Sequence, residues 1–312
     1  MRIAILGATS QIAKDLILSF SSQERYELVL YARRPEIVKQ WLASVGLLDR
    51  YAVADFKTFG VIENFNAVLN FVGVGNPAQM AAMGVSIFDV TLTYDLMALD
   101  YVQQHPECKY IFLSSGATYG SRFDKPVDAN TKALIEINNL QPQDWYAVAK
   151  LYAECRHRAL VKLSIIDIRV FNYFSCTQDM SARFLMTDIL RAIRDKTILK
   201  TSSDYIVRDF LHPSDFYKLV DALLFSSGIN TAVDCYSRAP IDKPSLLVGM
   251  QEKFNLRYEI NNSESGINAT GNKPYYYSLN KRAADFGYIP SFTSLEGIFQ
   301  ESERVLSECR SV

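Results

Sequence analysis

Over roughly its first 170 residues the chain alternates short, almost uninterrupted apolar runs with longer stretches whose apolar residues recur at helical spacing. The runs predict strands at Ile3–Leu6, Glu27–Tyr31, Tyr51–Val53, Ala67–Phe71, Tyr110–Leu113 and Ile165–Val170. Between them the spacing predicts helices over Ile12–Phe20, Glu36–Ser44, a long stretch ending near Gln104, and Trp145–Lys162. Strands that are apolar throughout, with no polar face, suit a parallel sheet covered on both sides by helices. The fold class expected is therefore α/β, a doubly wound parallel (Rossmann) sheet with right-handed crossovers.

After Asn172 the alternation stops. Arg183–Ile193, Pro213–Phe225 and Leu295–Val305 read as helices, and Ala232–Cys235 and Arg257–Ile260 as short strands. The tract Asn261–Asn272, rich in Asn, Ser and Gly, reads as a loop. This predicts a dinucleotide-binding domain over 1–172. Residues 173–312 would form mainly a smaller α+β lobe at the carboxyl edge of the sheet, with Pro213–Phe225 returning to the main domain.

Composition narrows the function classes. A formal net charge of -1 across 312 residues leaves no basic footprint for nucleic acid or an anionic membrane. No apolar run approaches the ~20 residues of a membrane span, and the strand beginning at Arg2 leaves no room for a cleavable signal. The five cysteines are scattered, without C-x-x-C spacing, which suits a reducing compartment and neither a disulfide framework nor a metal site. The expectation is a cytoplasmic protein.

In a doubly wound sheet the ligand sits at the carboxyl ends of the strands, where the winding reverses. The first such turn is Gly7-Ala8-Thr9-Ser10-Gln11-Ile12-Ala13, which would offer a helix N-terminus to a pyrophosphate; its other reading is an ordinary strand-to-helix turn. Arg33 and Arg34 close the second strand where an acid would normally bind the ribose of NAD. Two guanidinium groups suit a 2′-phosphate, so NADP(H) is favoured over NAD(H); the alternative is a solvated pair capping the strand. Asp55 is placed to accept from the adenine, and Gly73 to let the backbone pass close behind the cofactor.

Tyr146 and Lys150 lie four residues apart on a predicted helix and so share a face. An ammonium there stabilises a phenolate, which can exchange a proton with an alcohol while a hydride moves at the same carbon. A second pair with the same spacing, Tyr277 and Lys281, shows that spacing alone does not decide.

Taken in order, the glycine turn, Asp55-Phe56, Ser114 to Gly120, Tyr146 to Lys150, Arg169 to Asn172, Arg208 to Asp215 and Leu279 to Pro290 resemble the extended short-chain dehydrogenase/reductase family, in its sugar-nucleotide epimerase, dehydratase and reductase branch. The resemblance implies a catalytic set of Ser115, Tyr146 and Lys150, with the first Tyr-x-x-x-Lys selected over the second. It implies cofactor contacts from Gly7, Thr9, Ser10, Gln11, Ile12, Arg33, Arg34, Asp55, Phe56, Val72, Gly73 and Lys150. Substrate contacts would come from Ser115, Asn172 and Arg208, with Lys200 and Lys281 weaker candidates. It further implies a nucleotide-sugar substrate and a homodimer, with no metal.

Dehydratases of this branch carry an Asp-Glu pair directly after the catalytic hydroxyl; here those positions are Gly116 and Ala117, which argues against water elimination. The segment Ser121–Asp144 is longer than usual, and Asn130–Leu140 within it reads helical. With Arg33-Arg34 pointing to NADPH, the reading favoured is reduction of a nucleotide-linked 4-keto-6-deoxy sugar for surface polysaccharide. The alternatives are a nucleotide-sugar 4-epimerase and a non-catalytic NADP(H)-binding member; the intact Ser115, Tyr146 and Lys150 argue against the last.

Overall fold

The computed structural model describes residues 1–61, 64–73, 82–261 and 273–308. The expected loop over 262–272 and Cys309 lie outside the described residues.

The first half runs β1 (Arg2–Leu6), α1 (Gln11–Ser21), β2 (Glu27–Ala32), α2 (Pro35–Ser44), β3 (Ala52–Asp55), β4 (Ala67–Asn70), α3 (Ser86–Gln104), β5 (Lys109–Ser115), α4 (Trp145–Ala159) and β6 (Ile165–Val170). The second half adds β7 (Asn172–Tyr173), α5 (Leu185–Arg194), β8 (Ile198–Thr201), β9 (Val207–Arg208), β10 (Phe210–Leu211), α6 (Pro213–Phe225) and β11 (Thr231–Asp234). It closes with β12 (Ile241–Asp242), α7 (Lys243–Phe254), β13 (Arg257–Ile260), β14 (Tyr275–Tyr276) and α8 (Ser294–Glu308).

Seven strands form one parallel sheet in the order β11-β6-β5-β4-β1-β2-β3. The doubly wound α/β class is thus borne out, and the winding reverses between β1 and β4. Ile3, Ala4, Ile5 and Leu6 are all fully buried, as a strand covered on both faces requires. Helix α1 shows why the period is legible: Ala13, Leu16, Ile17 and Phe20 form its buried stripe. Each large side chain of that kind contributes about 1.5–3 kcal/mol on burial.

Helix α6 joins this core through Phe216, Leu219, Val220 and Leu223, and β11 extends the sheet beside β6. Met186, Ile189, Leu190, Leu246, Met250 and Ile298 build a separate core in the second half. Its small sheets are β12-β9-β14, β10-β7 and β13-β8. Among the described residues no helix is long and apolar enough to cross a membrane.

One expected helix does not form. Asn130–Leu140 holds only a single 3-10 turn, Ile137–Asn139, and an isolated bridge from Leu134 to Gly120. Leu134 and Ile137 are 48% and 71% exposed, so these apolar residues make no buried stripe to support a helix.

Candidate active site

Strand β5 sends its last two residues to opposite faces. Ser114 points away from the crevice and donates to Glu154, which is held in turn by Arg169. Arg169 also reaches Tyr119 and Asp234, so the Ser114–Tyr119 and Arg169 motifs serve a buried brace between β5, β6 and α4. Ser115 faces the other way. Its Oγ accepts from the Ala117 amide at 3.1 Å and lies 3.4 Å from the phenol oxygen of Tyr276.

Helix α4 supplies the facing groups. Lys150 is 3% exposed; its Nζ donates to the Leu113 carbonyl at 2.7 Å and sits over the Phe112 ring. Burial lowers its pKa to about 8, against the pull of Asp95, Asp167 and Glu154. Burial also raises the Tyr146 pKa above its ordinary value, and a side-chain hydrogen bond from Ser115 opposes that rise. The lowering of Tyr146 expected from Lys150 is therefore not produced by the protein groups themselves, because the ammonium is tethered to Leu113.

On the cofactor side, Gly7 has φ +82°, and a Cβ there would stand 2.8 Å from the Val72 amide nitrogen; only glycine lets the first turn pass the end of β4. Ser10 caps α1 without a side-chain hydrogen bond, and the first turn carries no acid, so the N–H groups of Gln11 and Ile12 are open to an anion. Thr9 is exposed at the same turn. Asn70 shapes the facing edge by accepting from the Val72 amide at 2.9 Å. At Gly73 an added Cβ would come within 3.6 Å of Lys150 Nζ, so the missing side chain leaves the ammonium reachable from the crevice. Asp55 ends β3 and caps the following turn through Lys57 N, while the Phe56 ring packs at a tilt against Tyr94. A dinucleotide fits this donor set: open amides at a helix N-terminus, a glycine window and a reachable ammonium.

The second half brings β14 across the crevice. Tyr276 pairs in register with Arg208 on β9 and packs between the rings of Phe123 and Phe171. Asn172 donates to the Tyr276 carbonyl at 3.3 Å, which fixes that strand. Arg208 donates to the carbonyls of Val207, Lys273 and Pro274 through Nη1 alone, and burial lowers its pKa to about 10. Lys273 lies over both Phe123 and Tyr276, and burial, then Arg208, brings its pKa down to about 8. Among the described residues neither cation forms an ion pair. A buried Lys273 beside a half-buried Arg208, neither ion-paired to a carboxylate among the described residues, forms a ready seat for an anion.

Lys273 and Tyr276 were not singled out as site residues by the sequence. The only signal was the Tyr275-Tyr276-Tyr277 run, which could stack on a base but reads more readily as aromatic core packing. Lys200 is not brought to this group: it is exposed on β8, in the β13-β8 sheet. Lys281 lies over the Tyr236 ring, drawn by Asp209. His212 caps α6 through Ser214 N, and Asp209 and Asp215 accept from backbone amides, so all three brace loops.

The model of the NAD dependent epimerase/dehydratase family matches residues 3–231. No curated protein matches the chain. Among solved structures, the chain is similar to a UDP-glucose-4-epimerase from Stenotrophomonas maltophila with bound NAD and formylated UDP-arabinopyranose, at 15% identity, TM-score 0.82 and 100% of both chains. A UDP-glucuronic acid 4-epimerase from Bacillus cereus, in complex with UDP-glucuronic acid and NAD, is 15% identical with TM-score 0.78 over 99% of both chains. A dTDP-glucose 4,6-dehydratase from Bacillus anthracis in complex with NAD is 15% identical with TM-score 0.76, over 97% of this chain and 96% of that one.

These structures overturn the expected preference for NADP(H), since the cofactor they hold is NAD. The physical reason lies at the end of β2. Arg33 and Arg34 are both exposed, and among the described residues neither makes a hydrogen bond or ion pair that would aim it at a phosphate. Both face solvent, as the alternative reading of a solvated pair expects.

Proposed function

We propose that this chain, which belongs to the NAD dependent epimerase/dehydratase family, is a nucleotide-sugar 4-epimerase working with retained NAD. The observation that carries this reading is the grouping of Ser115, Tyr146 and Lys150 at the carboxyl end of β5, with Gly116 and Ala117 in place of an acid pair. Reduction of a 4-keto sugar drew its support from Arg33 and Arg34 as readers of NADPH, and it lapses with that role.

The open amides of α1 and the Gly73 window would hold NAD, which would supply the hydride acceptor and donor for inversion at C4. Tyr146 takes the C4 hydroxyl proton and gives it back after the keto sugar has turned over. Ser115 donates to the C4 oxygen, where negative charge develops. Lys150, freed from Leu113, holds the nicotinamide ribose and supplies the positive field that Tyr146 lacks. Arg208 and Lys273 seat the diphosphate, leaving the sugar free to rotate. A homodimer through α3 and α4 is in keeping with the exposed Leu96 and Tyr152 on those helices.

The test is a panel of UDP-sugars incubated with the purified protein and no added cofactor, followed by chromatography for the C4 epimer. Formation of an epimer supports the reading; consumption of added NADPH with a 4-keto sugar opposes it.

A further inference from the structure

We propose that Tyr276, delivered by the second half of the chain, is a positioning residue that fixes the proton of Ser115 toward Tyr146. The inference rests on the reading of Ser115 and Tyr146 given above.

A serine hydroxyl has one proton and two lone pairs. At Ser115 one lone pair is taken by the Ala117 amide at 3.1 Å. The phenol oxygen of Tyr276 stands 3.4 Å away, close enough to fill the second. Either hydroxyl can donate across this contact; with Tyr276 as the donor both acceptor positions of Ser115 are occupied, and its own proton can only be given. The Tyr146 phenol is the group left for that proton to turn toward, and Ser115 opposes the burial-driven rise of its pKa. Without Tyr276 the Ser115 proton is free to swing to other acceptors, and its donation to Tyr146 or to a substrate oxygen is diluted.

Tyr276 suits that duty because it keeps its own proton. Burial, helped by the neighbouring Tyr146, holds its pKa well above the ordinary phenol value against the opposing pull of Ser115, Arg208 and the Ala117 amide. Its ring is fixed between Phe123 and Phe171, at 4.7 and 5.2 Å between centroids. Its backbone is held by Asn172, and its strand is paired in register with Arg208. An anion seated at Arg208 would therefore bear on the strand that orders the catalytic hydroxyl. Binding of the nucleotide and orientation of the proton are linked through two adjacent strands, β9 and β14.

Because the residue acts through Ser115, its effect disappears when Ser115 is gone. The experiment is a titration of the NAD-loaded protein labelled at tyrosine Cζ, read by NMR, with Tyr146 assigned from the signal lost in Tyr146→Phe. In Tyr276→Phe the Tyr146 pKa rises by about 0.5–1 unit, the scale of one hydrogen bond. In Ser115→Ala it rises at least as far, and adding Tyr276→Phe to that variant moves it no further. An unchanged Tyr146 pKa in Tyr276→Phe overturns the proposal, and so does an equal further rise in the Ser115→Ala background. Because this readout needs no turnover, it separates from the function: loss of epimerisation in Tyr146→Phe tests the reading, and the titration tests Tyr276 alone.

Discussion

Gly116 lies so close to the Phe171 ring that a Cβ there would stand 2.7 Å from Phe171 Cγ and closer still to two other ring carbons. Phe171 cannot yield easily, since it is packed against Tyr119, Phe123 and Tyr276. The missing acid pair is therefore built into the packing as well as into the sequence. Replacing Gly116 with Asp should cost about 3 kcal/mol or more, through overpacking and a buried charge. Denaturant unfolding reads that loss. A Gly116→Asp/Ala117→Glu variant as stable as the parent, and yielding dehydrated sugar, would show that this account of the pocket is mistaken.

Lys273 is buried beside Arg208 and, among the described residues, forms no ion pair; the attraction of Asp144 does not offset its desolvation. Lys273→Met should leave the melting temperature unchanged or raised while weakening UDP binding by roughly 10–100-fold. Thermal denaturation and calorimetry with UDP measure the two sides. A lowered melting temperature with unchanged affinity would make Lys273 a structural cation.

Arg33 and Arg34 are exposed. Substituting both with Ala should change NAD affinity by no more than about threefold, the usual range for solvated surface positions. A selective loss of NADPH binding of about tenfold or more would restore them as phosphate readers.

Much of this was readable in advance, for identifiable reasons. Buried parallel strands are continuous apolar runs, so β1, β2, β4, β5 and β6 stood out; buried helical stripes did the same for α1 and α2. The Asn130–Leu140 segment misled because spacing does not reveal that Leu134 and Ile137 face solvent. In the site, Tyr146 and Lys150 share one helix at a fixed spacing, and Ser115 ends the strand that precedes it. Tyr276 meets Ser115 across 161 residues of chain, and no local pattern records a contact brought about by the return of β14. The arginine pair shows a related limit: two cations at a strand end look alike whether they read a phosphate or face water.

His157 is fully buried between Asp95, 2.8 Å from Nε2, and Asp167, 2.6 Å from Nδ1, with Arg156 and Arg158 on the outer carboxylate oxygens. The two carboxylates outweigh burial and raise its pKa from 6.5 to about 9. The folded protein thus holds a proton that the unfolded chain releases between those values. Its stabilisation is complete below pH 6.5 and is lost as the pH rises to about 9. Urea midpoints across that window should fall for the parent and flatten for His157→Gln. A parent midpoint that rises over the same window would contradict the assignment of a buried imidazolium.

The central claim is that one hydride leaves C4 and returns to C4 of the same sugar. The direct measurement follows a UDP-sugar deuterated at C4, incubated with the purified protein and excess unlabelled NADPH. The account predicts a C4 epimer that keeps its deuterium, no net change in nicotinamide absorbance, and a rate lowered by roughly 10²–10⁴ in Tyr146→Phe. Deuterium lost to the free nucleotide pool, or stoichiometric consumption of NADPH, would contradict it.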